Sequence, residues 1–494
     1  MSRAPVLRTC LTASALVAVA AATAALTVAC SVITKVDYAE CEVSADCRGA
    51  FGYASVCGEE GLCESAKLDA RCKKVFPTDL FTAPEKYPDA VILGSLLNHN
   101  KDSGDLLMVQ AASLAVQGAN KSGLTDGHQF GIVHCDYQEF ADNSKTSEDA
   151  AIDGAKYLVD ELGAVAIVGP GTSGLAEVVY RELQKPEHAP QALLISPSAT
   201  SVSLTNIDVR DGDKPGLFWR TAPPDSQVGA ELAGRMTAEG ITSATIIYEN
   251  GSYGSGLALA LDTVFEGELE QLSFEKLPGN DAFLELKALV MQVGAKTPSP
   301  EVGVVFIGSE VEMVTTFING ASVFPFYQNV RIFLGDTAKA KGVLEGTTEA
   351  TVLYPRIRGV FPGTPSGPVY MAFLLDYKTT FKQNPDSFAA LTYDATWLAL
   401  YGAAWAEYQR KGSLTGLDLG YGLQRVSAPK GEPINVLPGS WNTAKAEFKA
   451  GRSINITGVS GDLDYDPETE ECTAPFSYWQ IVADGNGFDF EDII

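Results

Sequence analysis

The sequence predicts an α/β protein of two successive lobes, each with a parallel sheet, behind a small disulfide-rich segment. Three observations carry this. From residue 89 onward short apolar runs alternate with longer amphipathic ones, the pattern of strands and covering helices. The alternation breaks at Pro223-Pro224 and then starts again. Ahead of it, Cys41, Cys47, Cys57 and Cys63 crowd into one short polar stretch. A chain of 494 residues with 46% hydrophobic and 20% charged residues is globular in composition and too long for a single core.

The first residues read as an address. Arg3 and Arg8 form a basic start and residues 11–28 an uncharged, Ala-rich apolar run, so 1–29 is expected to be a signal peptide. Leu26-Thr27-Val28-Ala29-Cys30 resembles a bacterial lipobox, which would make Cys30 the lipidated mature N-terminus, although Thr27 stands where that pattern has Leu. An uncleaved anchor or a plain signal peptide is the other reading, and the run approaches the length of a spanning helix. The expected location is therefore outside the cytoplasm, in the periplasm or cell envelope, held to the membrane through the lipid alone. The 62 acidic against 36 basic residues give a net charge of −26, a field that repels nucleic acid and anionic membrane surfaces.

The cysteine-rich segment is expected to span 30–74. Its four cysteines are separated by five, nine and five residues among Gly, Ser, Asp and Glu. So little apolar surface needs a covalent staple, and two disulfides in an oxidising compartment supply it, with the pairing left open by spacing. A zinc knuckle is the rival, but it favours about two to four residues between ligands; no metal site is expected. Cys72, Cys135 and Cys472 are an odd number, so at least one is free or paired with another chain. Residues 75–88, polar and Pro-containing, read as a linker.

In the first lobe, strands are expected at 90–97, 130–136, 165–168 and 192–196, and helices at 106–120, 146–162 and 175–184. In the second, helices are expected at 226–239, 256–265, 283–293 and 310–318, and strands at 244–248, 303–307 and 330–334. A long helical stretch at 370–410, broken at Pro385-Asp386, and a β-rich tail at 477–482 complete the chain.

Several segments then resemble the type I periplasmic binding proteins of the leucine/isoleucine/valine-binding kind. They are VAIVGPGTSG at 165–174, LLISPSATSVSLT at 193–205, LFWRTAPPDSQ at 217–227, IYENGSYGSGL at 247–257, FAALTYDATW at 388–397 and ITGVSGDLDYD at 456–466. They occur in the family's order over residues 89–494. The resemblance implies two Rossmann-like lobes with parallel sheets joined by three crossovers, lobe 1 being 89–222 with 355–455 and lobe 2 being 223–354 with 456–494. It also implies capture of a small molecule, an amino acid or related carboxylate, in the cleft between lobes, for delivery to the membrane permease of an ABC transporter.

The Gly-rich turn at 169–174 between a strand and a helix allows close backbone approach and offers a helix N-terminus, which suits a carboxylate or phosphate. By the resemblance, Thr172 and Ser173, with Ser198, Ala199 and Thr200, would hold the ligand's polar head; the plain alternative is helix capping. Tyr253 would face the ligand from lobe 2. A buried ammonium needs an anion, for which Asp336 is the candidate and Glu310 an alternative. The loop Asn98-His99-Asn100-Lys101-Asp102 is polar where relatives place apolar or aromatic residues, which fits a polar ligand or simply a solvated loop.

No enzyme is expected. The four histidines form no HExxH, residues 171–174 form no GxSxG elbow, and no cofactor motif is present. Asp462, Asp464 and Asp466 alternate like a calcium loop, but Pro467 stands where an EF-hand requires Gly. A non-transport envelope lipoprotein for sensing or protein interaction, with a degenerate cleft, is the alternative.

Overall fold

The structure, a computed structural model, describes residues 40–99, 105–124, 128–137, 146–188, 191–208, 210, 213–277, 282–362, 366–411, 413–473, 476–485 and 487–493. The expected signal peptide, Cys30 and residues 100–102 of the polar loop lie outside them. Among the described residues no helix is long and apolar enough to cross a membrane.

The cysteine segment is a helix, Ser44–Phe51, against a hairpin of β1 (Ser55–Cys57) and β2 (Cys63–Ser65). Cys41 pairs with Cys57 and Cys47 with Cys63, the two-disulfide staple, and this resolves the pairing that spacing left open. The knob is fastened to lobe 1: the Arg48 guanidinium donates to the carbonyls of Asp160 and Glu161, and Ser44 Oγ to the Glu161 carboxylate.

Lobe 1 holds β3 (Lys74–Phe76), β4 (Val91–Leu96), β5 (Phe130–Cys135), β6 (Ala166–Val168), β7 (Leu193–Ser196) and β8 (Phe218–Arg220), in sheet order β3-β5-β4-β6-β7-β8. All pairs are parallel except β3 with β5. Every residue of β4 and β5 is buried, as expected of a sheet covered on both faces. The segment 75–88 is therefore no free linker. Three residues of edge strand were too short to read from pattern, yet Val75 and Phe76 pair with Val133 and Ile132, and Leu80 is fully buried, its carbonyl accepting from Tyr53. The Cys72–Cys135 disulfide locks this edge, and Cys472 is left as a free buried thiol.

Lobe 2 repeats the plan with β9 (Ser243–Glu249), β10 (Glu268–Phe274), β11 (Val302–Ile307), β12 (Arg331–Leu334) and β13 (Ile357–Pro362), five parallel strands in the order β10-β9-β11-β12-β13. The chain then returns to lobe 1 for the helices Gly367–Phe381 and Ser387–Gln409 and a small parallel pair, β14 (Glu432–Asn435) and β15 (Ile454–Thr457). Finally β16 (Phe476–Ala483) and β17 (Phe488–Ile493) extend the lobe 2 sheet antiparallel beside β13. Trp479 lies so flat on β13 that a Cβ on Gly359 would fall 2.1 Å from its ring, so glycine is obligatory there.

Two expected boundaries shift. Residues 357–362, assigned to lobe 1, are a strand of the lobe 2 sheet, because their register is set by β12 and β16. Residues 456–472, assigned to lobe 2, pack into lobe 1 through Val459, Leu463, Tyr465 and Cys472. The lobes are thus joined at 221–225, 362–366 and 473–476. The strands β10 and β17, absent from the expected elements, carry exposed Glu268, Glu270, Asp489, Glu491 and Asp492. Such charges blunt an edge and hide its apolar alternation.

Replacing both Cys72 and Cys135 by serine is expected to cost about 2–4 kcal/mol of stability. Urea unfolding should show it as a lower midpoint at unchanged slope; an unchanged midpoint would mean that packing alone holds the edge strand.

Candidate functional site

Both lobes have the strand order in which the chain reverses direction across the sheet beside its first parallel strand. In lobe 1 that point lies between β4 and β6, in lobe 2 between β9 and β11. Loops leaving such points at the carboxyl ends of strands form the natural ligand crevice of an open α/β sheet.

In lobe 1 the turn after β6 is built by close approach. Gly169 has φ +103° and a Cβ there would sit 2.2 Å from the Leu96 carbonyl oxygen, so the loop is pressed against the end of β4. Thr172 is the N-cap residue of the helix Ser173–Leu183, but its side chain makes no capping bond. The Ser173 hydroxyl is buried and accepts from the amides of Thr200 (3.2 Å) and Ser201 (3.1 Å). Ser196 Oγ accepts from the Ala199 amide and donates to the Pro170 carbonyl, and Ser198 Oγ donates to the Gly171 carbonyl. Three serine hydroxyls thereby fix the loop 196–201 against the Gly-rich turn. Thr200 is left with a buried hydroxyl that makes no hydrogen bond.

Lobe 2 supplies the acids. Tyr253, in the first turn of the helix Ser252–Val264, donates its hydroxyl to Asp336, whose carboxylate also accepts from the Thr337 amide at 2.9 Å. Asp225 opens the helix Asp225–Ala238 at the first crossover, and its amide donates to the Thr200 carbonyl at 2.7 Å. Its side chain is 0% exposed and neither carboxylate oxygen makes a hydrogen bond. The lobes touch beside this group: Ser201 Oγ donates to the Ser252 carbonyl at 2.7 Å and Ser203 meets the Ser252 hydroxyl at 2.9 Å. Ser173, Thr200, Tyr253 and Asp336 are therefore brought together at one seam. Glu310 is not among them: at the N-cap of Val311–Ser322 it is partly exposed and held by Lys276 at 2.6 Å. A separate open groove of about 700 Å3, lined by Ser366, Asn435, Thr457, Asp462 and others, borders the second and third crossovers and shares none of these residues.

Asp225 is the residue that sequence reasoning missed. Its position after Pro223-Pro224 is that of an ordinary acidic residue in a first helical turn, and nothing in the sequence separates the two roles. Burial pushes its carboxyl well above the usual range, the charge of Asp336 pushes it further, and the nearby Thr200 hydroxyl and Arg220 guanidinium offset this only in part. Burial likewise raises Asp336, against the hydrogen bonds from Tyr253 and Thr337. An isolated buried carboxylate is costly, which is why burial favours the protonated form of both acids.

The consequence for stability has a definite sign. Between its unfolded and its raised folded value, each acid keeps in the native state a proton that the unfolded chain has released, so stability falls as pH rises through that window. The ligand-free protein with Asp225→Asn is expected to melt higher than wild type at about pH 7.5, and the gap should close toward about pH 4. Equal melting temperatures across that range, followed by calorimetry, would show that Asp225 carries no buried charge.

The family described as periplasmic binding protein matches residues 102–485. Among solved structures, a leucine binding protein LivK from Thermotoga maritima superposes with a TM-score of 0.59 at 17% identity, covering 81% of this chain and 98% of that one. The branched-chain amino acid transporter substrate binding protein LivJ from Streptococcus pneumoniae, in complex with isoleucine, gives 0.58 at 18%, covering 82% and 100%. A solute binding protein of an ABC transporter from R. palustris, in complex with benzoate, gives 0.59 at 15%, covering 82% and 95%. No curated protein sequence matches significantly. With two doubly wound lobes, three crossovers and a family match over most of its length, the chain belongs to the periplasmic binding protein family.

Proposed function

We propose that this protein captures a small amine-bearing molecule, an amino acid or a close relative, between its lobes and passes it unchanged to the membrane permease of an ABC transporter. The single observation that carries this is the buried, unpartnered carboxylate of Asp225 beside Asp336 and the unpartnered Thr200 hydroxyl. An ammonium group donates three hydrogen bonds and carries the opposite charge, which is what that set lacks. Tyr253 holds Asp336 in place and closes the site from lobe 2.

The relatives bound to isoleucine and to benzoate hold carboxylate-bearing molecules of the same size class. In this chain the Gly-rich turn and the first-turn amides of Ser173–Leu183 would receive a carboxylate. Ser173 would then act in two ways, as the post that fixes the loop 198–201 and as a wall of the carboxylate pocket. The reading of Cys30 as a lipid anchor, and of the exported location that goes with it, belongs to the same proposal.

The electrostatics also give closure a cause. Groups from both lobes are desolvated when the seam shuts, and without a ligand that cost is uncompensated. A ligand that satisfies them binds the closed form better than the open one, and only such a difference shifts the equilibrium.

Thermal unfolding of the purified ligand-free protein against amino acids, simple amines, small carboxylates and sugars tests this. Amine-bearing compounds should raise the midpoint, by about 2.7 kcal/mol of stability at a hundredfold excess over Kd, and Asp225→Asn and Thr200→Ala should each weaken the effect about tenfold or more. If nothing in the panel shifts the midpoint, the interaction-lipoprotein reading replaces this one.

A further inference from the structure

Two histidines are buried at the carboxyl edge of the lobe 1 sheet, and they differ in one respect. His134 on β5 has both ring nitrogens engaged, Nδ1 with Ser95 Oγ at 2.7 Å and Nε2 with Ser113 Oγ at 2.9 Å. It is a satisfied core residue. His99, just past the end of β4, has a side chain only 8% exposed, yet its Nε2 is buried without a partner. Its Nδ1 faces the Asp136 carboxylate at 3.8 Å. Burial lowers its pKa to about 4, with Asp136 opposing and Lys74 adding to the shift, so the ring is neutral near pH 7.

The tautomer follows from that neighbour. A carboxylate beside Nδ1 favours the proton on Nδ1, which leaves Nε2 as a lone-pair acceptor. A buried acceptor left without a donor is costly, and among the described residues none supplies one.

His99 also stands in the right place. It follows β4 at the point where the sheet order reverses, and the same strand end is pressed on Gly169 through the Leu96 carbonyl. Tyr137, next to Asp136, reaches to 4.0 Å from where a Cβ on Gly171 would be. His99 and Asp136 therefore lie on the same edge of lobe 1 as the Gly-rich turn, one and two strands over from it.

We infer that His99 is a specificity-determining residue: its Nε2 accepts a hydrogen bond from a donor at the far end of the captured molecule, a carboxamide, hydroxyl or second amine. This rests on the reading of the seam as a ligand site given under Proposed function. A hydrocarbon end leaves Nε2 unsatisfied, and an anionic end meets both a lone pair and the Asp136 charge. The ligand class is thereby narrowed to polar, non-acidic amines of amino-acid size.

Leucine, asparagine and aspartate share a backbone and a branch point and differ only at that end; methionine, glutamine and glutamate offer the same three kinds of end at one atom more of reach. Isothermal titration of the wild-type protein with these six should find at least one amide bound about tenfold or more tighter than its hydrocarbon and anionic counterparts. His99→Phe should shift that preference toward the hydrocarbon. His99→Gln, which retains an acceptor, should keep most of it, and this separates loss of recognition from loss of fold. If leucine or methionine binds wild type as tightly as the amide, if His99→Phe leaves the ratio unchanged, or if only amines with a hydrocarbon or anionic end bind, His99 is not the selector and the seam reading survives. If no amine of any kind binds, both fall together.

Discussion

The arrangement of the two lobes rests on one buried helix, Ser387–Gln409. Most of its residues, on every face, are enclosed, and it runs through the lobe 1 core beside Trp441 and the helix Asp105–Asn120. Its first half meets the first two crossovers and the segment that leads to the third. The Leu391 carbonyl accepts from Thr221 Oγ1 at the first, Phe388 packs its ring 5.0 Å from Phe361 at the entry to the second, and Asp394 accepts from the Val459 and Ser460 amides ahead of the third. Burial holds the Asp394 carboxyl up at about 7 even so. The crossovers are therefore based on one helix seated in the lobe 1 core.

Such a base frees the seam from carrying stability. Each lobe closes its own core, lobe 1 around its Trp- and Tyr-rich helices and lobe 2 around the stacked rings of Phe274, Phe306 and Phe317. The surface between them can then hold groups that would be faults in a core: two acids without a basic partner in hydrogen-bond reach and an idle hydroxyl. A polar group left unmade in the empty protein becomes affinity when a ligand completes it, because the cost has already been met by the folding of the lobes.

The sequence was legible where burial is two-sided. The strands β4 to β7 and β11 to β12 are apolar runs, and the long helical stretch broke at Pro385-Asp386 as expected, Asp386 capping Ser387–Gln409 through the Ala389 amide. What stayed hidden was set by distant partners. The edge strands β3, β10 and β17 have a polar face or too few residues, and the lobe boundaries depend on contacts such as Tyr465 with the Arg220 carbonyl and with Trp219, which no local pattern encodes. At the site, Ser173, Thr200, Tyr253 and Asp336 were found through their ordered resemblance to a known family. Asp225 was not, because an acid at the start of a helix looks the same whether it meets solvent or a sealed seam. The disulfide pairing, too, required coordinates.

The helix at the centre of lobe 1 is written late in the chain. A polypeptide emerging from its N-terminus presents β4 to β8 well before residues 387–409 exist to cover them, and lobe 2 is complete only when 476–493 arrive to lay Trp479 on β13. Neither lobe can finish until the last part of the chain has emerged, and every earlier chain length exposes a sheet face that has no cover yet. The gene order thus keeps the nascent chain open until nearly its whole length is out, a property that suits a polypeptide threaded unfolded through a narrow channel and makes late truncation damaging to both halves at once.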